Sequence, residues 1–426
     1  MIMPQVLTLA AFARARIRMS RLNTRSKLDA FQKRRIARFL RNQVPQVSAY
    51  SQTRFDRLCQ APVMDKAQLM ESFASYNRLG LGADRGWRIF DGMEVAPRGY
   101  AVGASTGTSG NRGLYVVSDA ERYVWLGVML SRAFPDLLTQ RERVAVILPQ
   151  TSRLYDSANE SQRLNLKFFD LGSGVERQIK PVTAYKPTVI VAPPRVLTAM
   201  AQADTPLAPR QIFSGAEVLD CADRAIIEAR FGLCVREIYM ASEGLFAISC
   251  PFGTPHLVED HVMFEWEPVE GSRELRTPLI TDFTRRTQIM LRYRMNDLIE
   301  LDDRTCACGS PQLGIRQIVG RQDDAFSLVS RDGKRVTITP DIIRNAVLNS
   351  DRSILEYQVT QTAANEIRIE LPLAHETLLK GATAALQALF SEAGLHPHLV
   401  SMVRAFGDEG PRKRRRVLVD MKGEAV

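Results

Sequence analysis

The sequence lacks the features that would place the protein in a membrane or in the secretory pathway. No segment approaches the ~20 consecutive apolar residues that cross a bilayer. The longest early apolar run, residues 6–13, is interrupted by Thr8 and followed by arginines. It also lacks the basic leading region and the small-residue cleavage site of a signal peptide. We therefore expect a cytoplasmic protein with no membrane partner.

Cysteines and sequence repeats are also scarce. Six cysteines in 426 residues are too few for a disulfide scaffold. No repeat of fixed period occurs, which argues against solenoids and propellers. The composition is otherwise that of an ordinary globular protein, with 45% hydrophobic and 24% charged residues. At this length the chain has room for two or three domains.

Positive charge is concentrated near the two ends of the chain. The formal net charge is +10, yet residues 14–41 carry eleven Lys and Arg against one Asp, and residues 411–426 carry six against two acidic residues. In residues 28–40 apolar side chains fall on one helical face and basic side chains largely on the other. We interpret the basic face as the solvated side of a docked helix, because aromatic interleaving and zinc-finger spacing are missing. Nucleic acid is therefore not an expected partner.

Short apolar runs alternate with helical patterns after residue 140, which predicts an α/β fold. The expected strands are residues 144–148, 166–169, 188–192, 211–213 and 235–239, and the expected helices are residues 195–203 and 220–230. This alternation predicts a largely parallel sheet whose ligands bind beyond the carboxyl ends of the strands. We expect a β-rich subdomain at about residues 250–318 and a smaller β-α-β-β-α-β-like domain at the end of the chain.

Residues 105–113 have the composition of a phosphate-binding loop. Three glycines allow backbone N–H groups to approach an anion, and four hydroxyl side chains can bind phosphate oxygens. The loop fits neither the P-loop pattern, because no Lys follows Gly110, nor G-x-G-x-x-G. Taken alone, such a segment is more often an ordinary flexible loop.

Four further motifs follow this loop along the chain. They are Gly215-Ala216-Glu217, Tyr239 to Gly244, Arg292 to Asp297 and Gly320 to Asp324. In this order and spacing the five segments resemble the core motifs of the adenylate-forming superfamily of acyl- and aryl-CoA ligases, most of all its phenylacetate–CoA ligase-like branch. The resemblance covers nearly the whole chain and includes residues 62–66, which are similar to the lead-in segment of that branch. It implies a large N-terminal adenylation domain of several subdomains, residues 1–321, and a small mobile α+β domain, residues 322–426.

The resemblance also implies a role for each motif. Glu243 would coordinate Mg²⁺, Asp297 would bind the ribose hydroxyls, and Arg321 would contact the ribose or a phosphate. Asp323 would lie at the hinge of the small domain. The β- and γ-phosphates of ATP would be held by Ser105, Thr106, Gly107, Thr108, Ser109 and Gly110. The adenine site would be formed by Gly215, Ala216, Glu217 and Tyr239, with the Tyr239 ring stacked on the base.

A catalytic lysine is the last element that the resemblance implies. Lys413 is the best match to the lysine that contacts the α-phosphate and the carboxylate during adenylation, and it would offset the charge that develops there. The sequence departs from the family pattern at two places. Asn111 and Arg112 stand where the phosphate loop usually has a lysine, and Ser242 replaces the more familiar Thr.

Four of the remaining residues form the donor set of a closed tetrahedral zinc site. They are Cys250, His256, Cys306 and Cys308, and some relatives in the same branch carry such a set. We expect a structural Zn²⁺, with His261 as a competing ligand and reduced, unliganded thiols as the alternative. Cys221 and Cys234 are expected to be buried core thiols.

The expected activity is ATP-dependent adenylation of an aromatic or similarly apolar carboxylic acid. The acyl group would then pass to a thiol, most readily that of coenzyme A. A carrier protein or an amine as acceptor, and a non-catalytic nucleotide- or nucleic-acid-binding protein, are the alternatives. Assembly as a homodimer is left open by the sequence.

Overall fold

The computed structural model describes residues 4–105, 112–148, 164–270, 272–406 and 415–421. Within these ranges no helix is both long and apolar enough to cross a membrane. The helices are α1 Pro4–Arg21, α2 Arg25–Asn42, α3 Lys66–Glu71, α4 Ala83–Phe90, α5 Asp119–Ala133, α6 Val175–Tyr185, α7 Pro194–Gln202, α8 Cys221–Phe231, α9 Pro340–Ser350 and α10 Leu379–Glu392.

The strands of the large unit precede residue 322. They are β1 Tyr100–Ala104, β2 Leu114–Ser118, β3 Glu142–Leu148, β4 Leu164–Asp170, β5 Val189–Ala192, β6 Gln211–Gly215, β7 Val235–Ala241, β8 Gly244–Ser249, β9 Pro255–Leu257, β10 Val262–Pro268, β11 Leu275–Asp282, β12 Tyr293–Arg294, β13 Asp297–Asp302 and β14 Gly314–Arg321. The remaining strands are β15 Phe326–Val329, β16 Arg335–Ile338, β17 Gln358–Ala363, β18 Glu366–Pro372, β19 His398–Arg404 and β20 Val417–Val419.

One sheet of twelve strands carries the large unit. Its parallel half has the order β4-β3-β5-β6-β7, and helices α6, α7 and α8 connect its strands. Strands β3 and β5 are almost entirely buried, as their Val- and Ile-rich sequences require in a parallel sheet. The predicted α/β class and the largely parallel sheet of this segment are therefore confirmed.

The antiparallel half extends the same sheet. After β7 the order continues β8-β9-β14-β13-β11-β10, with β12 paired to β11. The short strand β9 meets β14 at the single pair Gly314 and His256. The strands expected in a β-rich subdomain are thus present, and they are hydrogen-bonded into the main sheet.

The two N-terminal helices cover one side of the large unit. Helix α1 packs closely on α5, and a Cβ added at Gly127 would lie 2.3 Å from the Thr8 carbonyl oxygen, so only glycine permits this approach. Helix α2 buries Leu28, Phe39 and other apolar residues. As expected for a docked helix, its Lys33 and Arg34 face solvent.

The small C-terminal unit contains a hairpin and a four-stranded sheet. Strands β15 and β16 flank a turn in which Gly333 has a φ of 80°. The sheet has the order β19-β18-β17-β20 and packs on α9 and α10 around Phe326, Tyr357 and Phe390. The sequence pattern missed β20, because it is three residues long and follows a run of arginines.

Candidate active site

A large cavity opens where strands β6 and β7 end. Gly215 and Ala216 at the end of β6, and Ser242 and Glu243 just after β7, line a volume of about 2370 Å³. Ala216 has a φ of 70°, a left-handed conformation that costs a non-glycine residue about 1 kcal/mol or more. Such strain at a strand end is typical of functional sites.

Glu243 is held in place by two hydroxyl groups. Ser242 Oγ donates to Glu243 Oε2 at 2.8 Å, and Tyr293 Oη donates to Glu243 Oε1 at 3.2 Å. Burial and the charge of Glu243 raise the pKa of Tyr293, so its hydroxyl stays protonated and able to donate. Glu243 therefore presents an oriented carboxylate to the cavity, as a Mg²⁺ ligand requires.

Asp297 lines the same cavity as Glu243, although Asp297 begins a strand of the antiparallel half and Glu243 follows the last parallel strand. Tyr239 Oη donates to Asp297 Oδ2 at 2.5 Å, and Arg321 Nε lies 3.9 Å from Asp297 Oδ1. Tyr239 is only 8% exposed, and its ring packs on Phe246. Tyr239 can thus position Asp297, whereas stacking of its ring on adenine stays a prediction.

Lys66 is a cation of the site to which the sequence motifs assigned no role. Its Nζ donates to Ser105 Oγ at 3.2 Å, and Ser105 is the first residue of the predicted phosphate loop. Burial lowers the pKa of Lys66, and the nearby Glu243 raises it. Arg112, near the end of this loop, instead lies over the rings of Trp87 and Phe90, 5.1 Å from each centroid. The positive charge next to Ser105 therefore comes from α3.

Several predicted residues lie elsewhere or outside the described ranges. Glu217 pairs with Arg195 of α7 at 3.2 Å and does not line the cavity in the described structure. Asp323 does line it, and Asn296 Nδ2 donates to its carboxylate. The loop residues Thr106, Gly107, Thr108, Ser109 and Gly110, and the catalytic candidate Lys413, fall outside the described residues.

The predicted zinc ligands come together at the junction of β8, β9 and β14. The ligand atoms of Cys250, His256, Cys306 and Cys308 all lie within 4.8 Å of one another. Cys250 Sγ and Cys306 Sγ are 3.7 Å apart, close to the roughly 3.8 Å edge of a tetrahedron with Zn–S bonds of about 2.3 Å. His256 Nδ1 lies 3.0 Å from the Gln312 carbonyl oxygen, which leaves Nε2 for a metal. The four residues therefore fit a structural zinc ion.

The other candidates near this cluster behave differently. His261 Nε2 lies 2.9 Å from Arg18 Nη1 and its Nδ1 lies 3.1 Å from Asp260, so it is engaged outside the four-residue cluster. The expectation of buried thiols at Cys221 and Cys234 is wrong, since both are exposed. Cys221 begins α8 and Cys234 directly precedes β7. Residues at the ends of helices and strands face solvent more often than residues at their centres do.

Comparisons with known proteins define the fold. No family model matches the chain. Protein CapK of Staphylococcus aureus is 25% identical over 238 residues, which are 53% of this chain and 49% of CapK, so the match spans about half the length of that relative. A structure of 2-hydroxyisobutyryl-CoA ligase in the postadenylation state, in complex with 2-HIB-AMP, has a TM-score of 0.65 at 18% identity and covers 93% of this chain and 89% of that one.

The same ligase in the thioesterification state, in complex with 2-HIB-AMP and CoA, has a TM-score of 0.51 at 20% identity and the same coverage. ATP-bound MatB from Rhodopseudomonas palustris has a TM-score of 0.51 at 13% identity over 71% of this chain and 64% of MatB. The chain therefore has the fold of the adenylate-forming CoA ligases, as the motifs predict. The phenylacetate–CoA ligase-like branch stays a prediction.

Replacing Asp297 by Asn should weaken ATP binding. The change removes the charge that would accept two ribose hydrogen bonds, and hydrogen bonds to a charged group contribute about 1.5–3 kcal/mol. We expect the Kd for ATP to rise about ten- to a hundredfold in a calorimetric titration. Asp303→Asn is the matched control, since the Asp303 side chain is 90% exposed. An unchanged Kd for ATP in Asp297→Asn would contradict the role of Asp297 in binding the ribose.

Replacing Cys308 by Ser should remove the metal. Purified protein should contain about one zinc per chain by elemental analysis, and Cys308→Ser should contain much less and melt at a lower temperature. Cys221→Ser is the control, because it removes an exposed thiol outside the cluster. Wild-type protein that is stably folded without metal would reject the zinc site.

Proposed function

We propose that the protein catalyses ATP-dependent adenylation of a carboxylic acid and transfers the acyl group to the thiol of coenzyme A. The observation that carries this proposal is the set of charges around one cavity. Glu243, Asp297 and Lys66 come from three separate segments and converge at the strand ends of a CoA-ligase fold. A metal-binding carboxylate, a ribose-binding carboxylate and a phosphate-binding cation are the groups that nucleotide activation of an acid needs.

Each group has a definable task in the first half-reaction. Asp297, fixed by Tyr239, would hold the ribose and so orient the α-phosphate. Lys66 would bind phosphate oxygens beside Ser105. Mg²⁺ held by Glu243 would offset negative charge on the phosphates. The acid carboxylate would attack the α-phosphorus, the bond to the bridging oxygen would break, and pyrophosphate would leave with the bonding electron pair.

An apolar wall of the same cavity supports an apolar acid as substrate. This wall is contributed mainly by α5 and the strands next to it. Its members include Tyr115, Trp125, Met129, Phe134, Phe213, Met240, Leu245 and Val262. Aromatic, Met and aliphatic side chains line this wall together, which favours the aromatic or similarly apolar acid that the family resemblance implies.

The boundary between the two units is proposed to follow residue 321. The described residues after 321 form their own core, and Asp220 of the large unit connects them to it. Arg344 Nε of α9 lies 2.8 Å from Asp220 Oδ1, and Arg416 contacts both Asp220 and Asp223, the latter at 2.8 Å. All four side chains are at least 87% buried.

These contacts would act as a latch on the orientation of the small unit. Arg416 lies three positions after Lys413, so the latch would fix one end of the segment that carries the lysine. When one partner of a deeply buried ion pair is lost, the remaining buried charge strongly destabilises the arrangement that contains it. The higher TM-score against the postadenylation state supports the adenylation arrangement as the one that the latch stabilises.

The proposed reaction predicts pyrophosphate release that requires both ATP and one class of acid. We would measure this release across aromatic and aliphatic acids, with and without coenzyme A, and identify products by mass. A matching thioester would support the full reaction, and an acyl-adenylate without thioester would indicate a carrier protein or an amine as acceptor. Lys413→Ala should slow adenylation at least a hundredfold and spare thioester formation from supplied acyl-adenylate, with exposed Lys334→Ala as control.

Opening the latch should separate the two half-reactions. Arg416→Gln leaves Asp220 and Asp223 without one cation, so the adenylation arrangement loses stability relative to other orientations. We expect adenylation, measured by isotope exchange between pyrophosphate and ATP, to fall about tenfold or more. Thioester formation from supplied acyl-adenylate should be unchanged or faster.

The control is Arg404→Gln, because Arg404 pairs with Glu370 inside the small unit at 3.1 Å. An equal loss of both half-reactions in Arg416→Gln, with normal folding, would contradict the latch.

A further inference from the structure

Five arginines line one side of the cavity, away from the proposed nucleotide site. They come from four segments of the large unit and are called here the arginine rim. Its members are Arg18, Arg35, Arg38, Arg78 and Arg286. All of them precede β14, so the rim does not depend on how the small unit is oriented.

Packing fixes the two inner members of the rim. The Arg18 guanidinium lies 5.5 Å from the centroid of Phe31, and His261 Nε2 is 2.9 Å from its Nη1. The Arg35 guanidinium lies 5.9 Å from the centroid of the buried Phe283. A guanidinium over an aromatic ring keeps its in-plane N–H donors for other partners, and Arg18 already uses its Nη1 on His261 and Asp260.

The carboxylates close to the rim do not neutralise all of its charges. Asp260 is paired with Arg132 and also lies 3.5 Å from Arg18 Nη1, and Glu121 accepts hydrogen bonds from Ser118 and from the backbone N–H groups of residues 286 and 287. Among the described residues Arg35, Arg38 and Arg286 have no ion pair. Burial lowers the pKa of Arg35, and the positive charges of Arg18, Arg38 and Arg286 lower it further. Three of the five rim arginines, Arg35, Arg38 and Arg286, thus carry like charges without an ion pair in the described structure, whereas Arg18 pairs with Asp260 and Arg78 lies close to the charge of Glu121.

Arg285 extends this positive surface toward the reacting centre. Its side chain is 10% exposed, its Nη2 donates to the Ser242 carbonyl oxygen at 3.0 Å, and its Nε lies 3.8 Å from Asp282 Oδ2. Its Nη1 is buried without a hydrogen-bond partner in the described structure, and the residue lines the cavity. A buried guanidinium donor without a partner is costly unless a ligand completes it. The positive surface therefore runs from the rim to the position next to Glu243.

We propose that the arginine rim binds the phosphate groups of coenzyme A and directs its thiol along this surface to the acyl group. A carboxylate would match only one of these cations, whereas each phosphomonoester carries about −1.5 to −2 charges and three acceptor oxygens. The thiol must reach the acyl carbon next to Glu243, and Arg285 and Arg286 connect that point to the rim. The identity of the ligand rests on the proposed function, and the anion site itself rests on the geometry.

The test is a calorimetric titration of coenzyme A into protein saturated with AMP, which blocks the nucleotide site. The double variant Arg38→Gln/Arg286→Gln changes two exposed rim residues and should fold normally, which its melting temperature would verify. We expect its Kd for coenzyme A to be about tenfold or more higher than that of wild type. Arg34→Gln, an exposed arginine of α2 that does not line the cavity, should bind like wild type.

Titrations with two analogues of coenzyme A that lack phosphate groups test whether the rim recognises the phosphates. Dephospho-coenzyme A should bind more weakly than coenzyme A to wild type and lose less affinity in the double variant. Pantetheine, which has no phosphate, should bind both proteins equally. Equal affinity of coenzyme A for wild type and double variant, or an equal loss for pantetheine, would overturn the proposal.

The titration needs neither an acid substrate nor turnover. Rim-dependent binding of coenzyme A would therefore support the site even if no acid released pyrophosphate. Pyrophosphate release by a protein that binds no coenzyme A would overturn the rim proposal while leaving the adenylation step intact.

Discussion

The hydrogen bond between Tyr239 and Asp297 joins the two halves of the twelve-stranded sheet at the point where the site is built. Tyr239 belongs to the last parallel strand and Asp297 begins an antiparallel strand that lies four positions further along the sheet. Because Tyr239 is buried, this contact holds Asp297 at the cavity that Glu243 also lines. The parallel half supplies strand ends that face a common edge, and the antiparallel half bends round to bring a second carboxylate to the same edge.

Charge pairing distinguishes the structural from the functional parts of the molecule. Buried carboxylates such as Asp260 and Asp220 each contact more than one arginine, so their negative charges are matched inside the protein. The exceptions are the rim arginines Arg35, Arg38 and Arg286, which have no ion pair in the described structure, and the Nη1 atom of Arg285, which has no hydrogen-bond partner there although Arg285 Nε lies 3.8 Å from Asp282 Oδ2. Since unmatched buried charge is unfavourable in a folded protein, the places that retain it are the places where a charged ligand is expected.

The sequence predicted what is local and missed what depends on tertiary proximity. The strands of the parallel half followed from alternating apolar runs, and the four zinc candidates followed from donor type together with the family resemblance. Lys66 and Arg285 were missed as site residues because each is an ordinary charged residue whose meaning comes from neighbours about 40 or more positions away. The exposure of Cys221 was missed because Cys221 is the first residue of α8, and the sequence does not indicate whether a thiol at a helix end faces the core or solvent.

The two proposed half-reactions depend on different electrostatic contacts. The latch crosses between the large and small units, so under the proposed mechanism its strength would determine how long the small unit keeps the adenylation arrangement. The rim lies entirely in the large unit, so an incoming phosphorylated thiol meets the same charges before and after any rotation. A ligand that binds both orientations equally cannot shift the equilibrium between them. The switch from adenylation to thioester formation must then be driven by loss of pyrophosphate and breaking of the Arg416 contacts, with acceptor binding adding to it only through contacts made by the small unit.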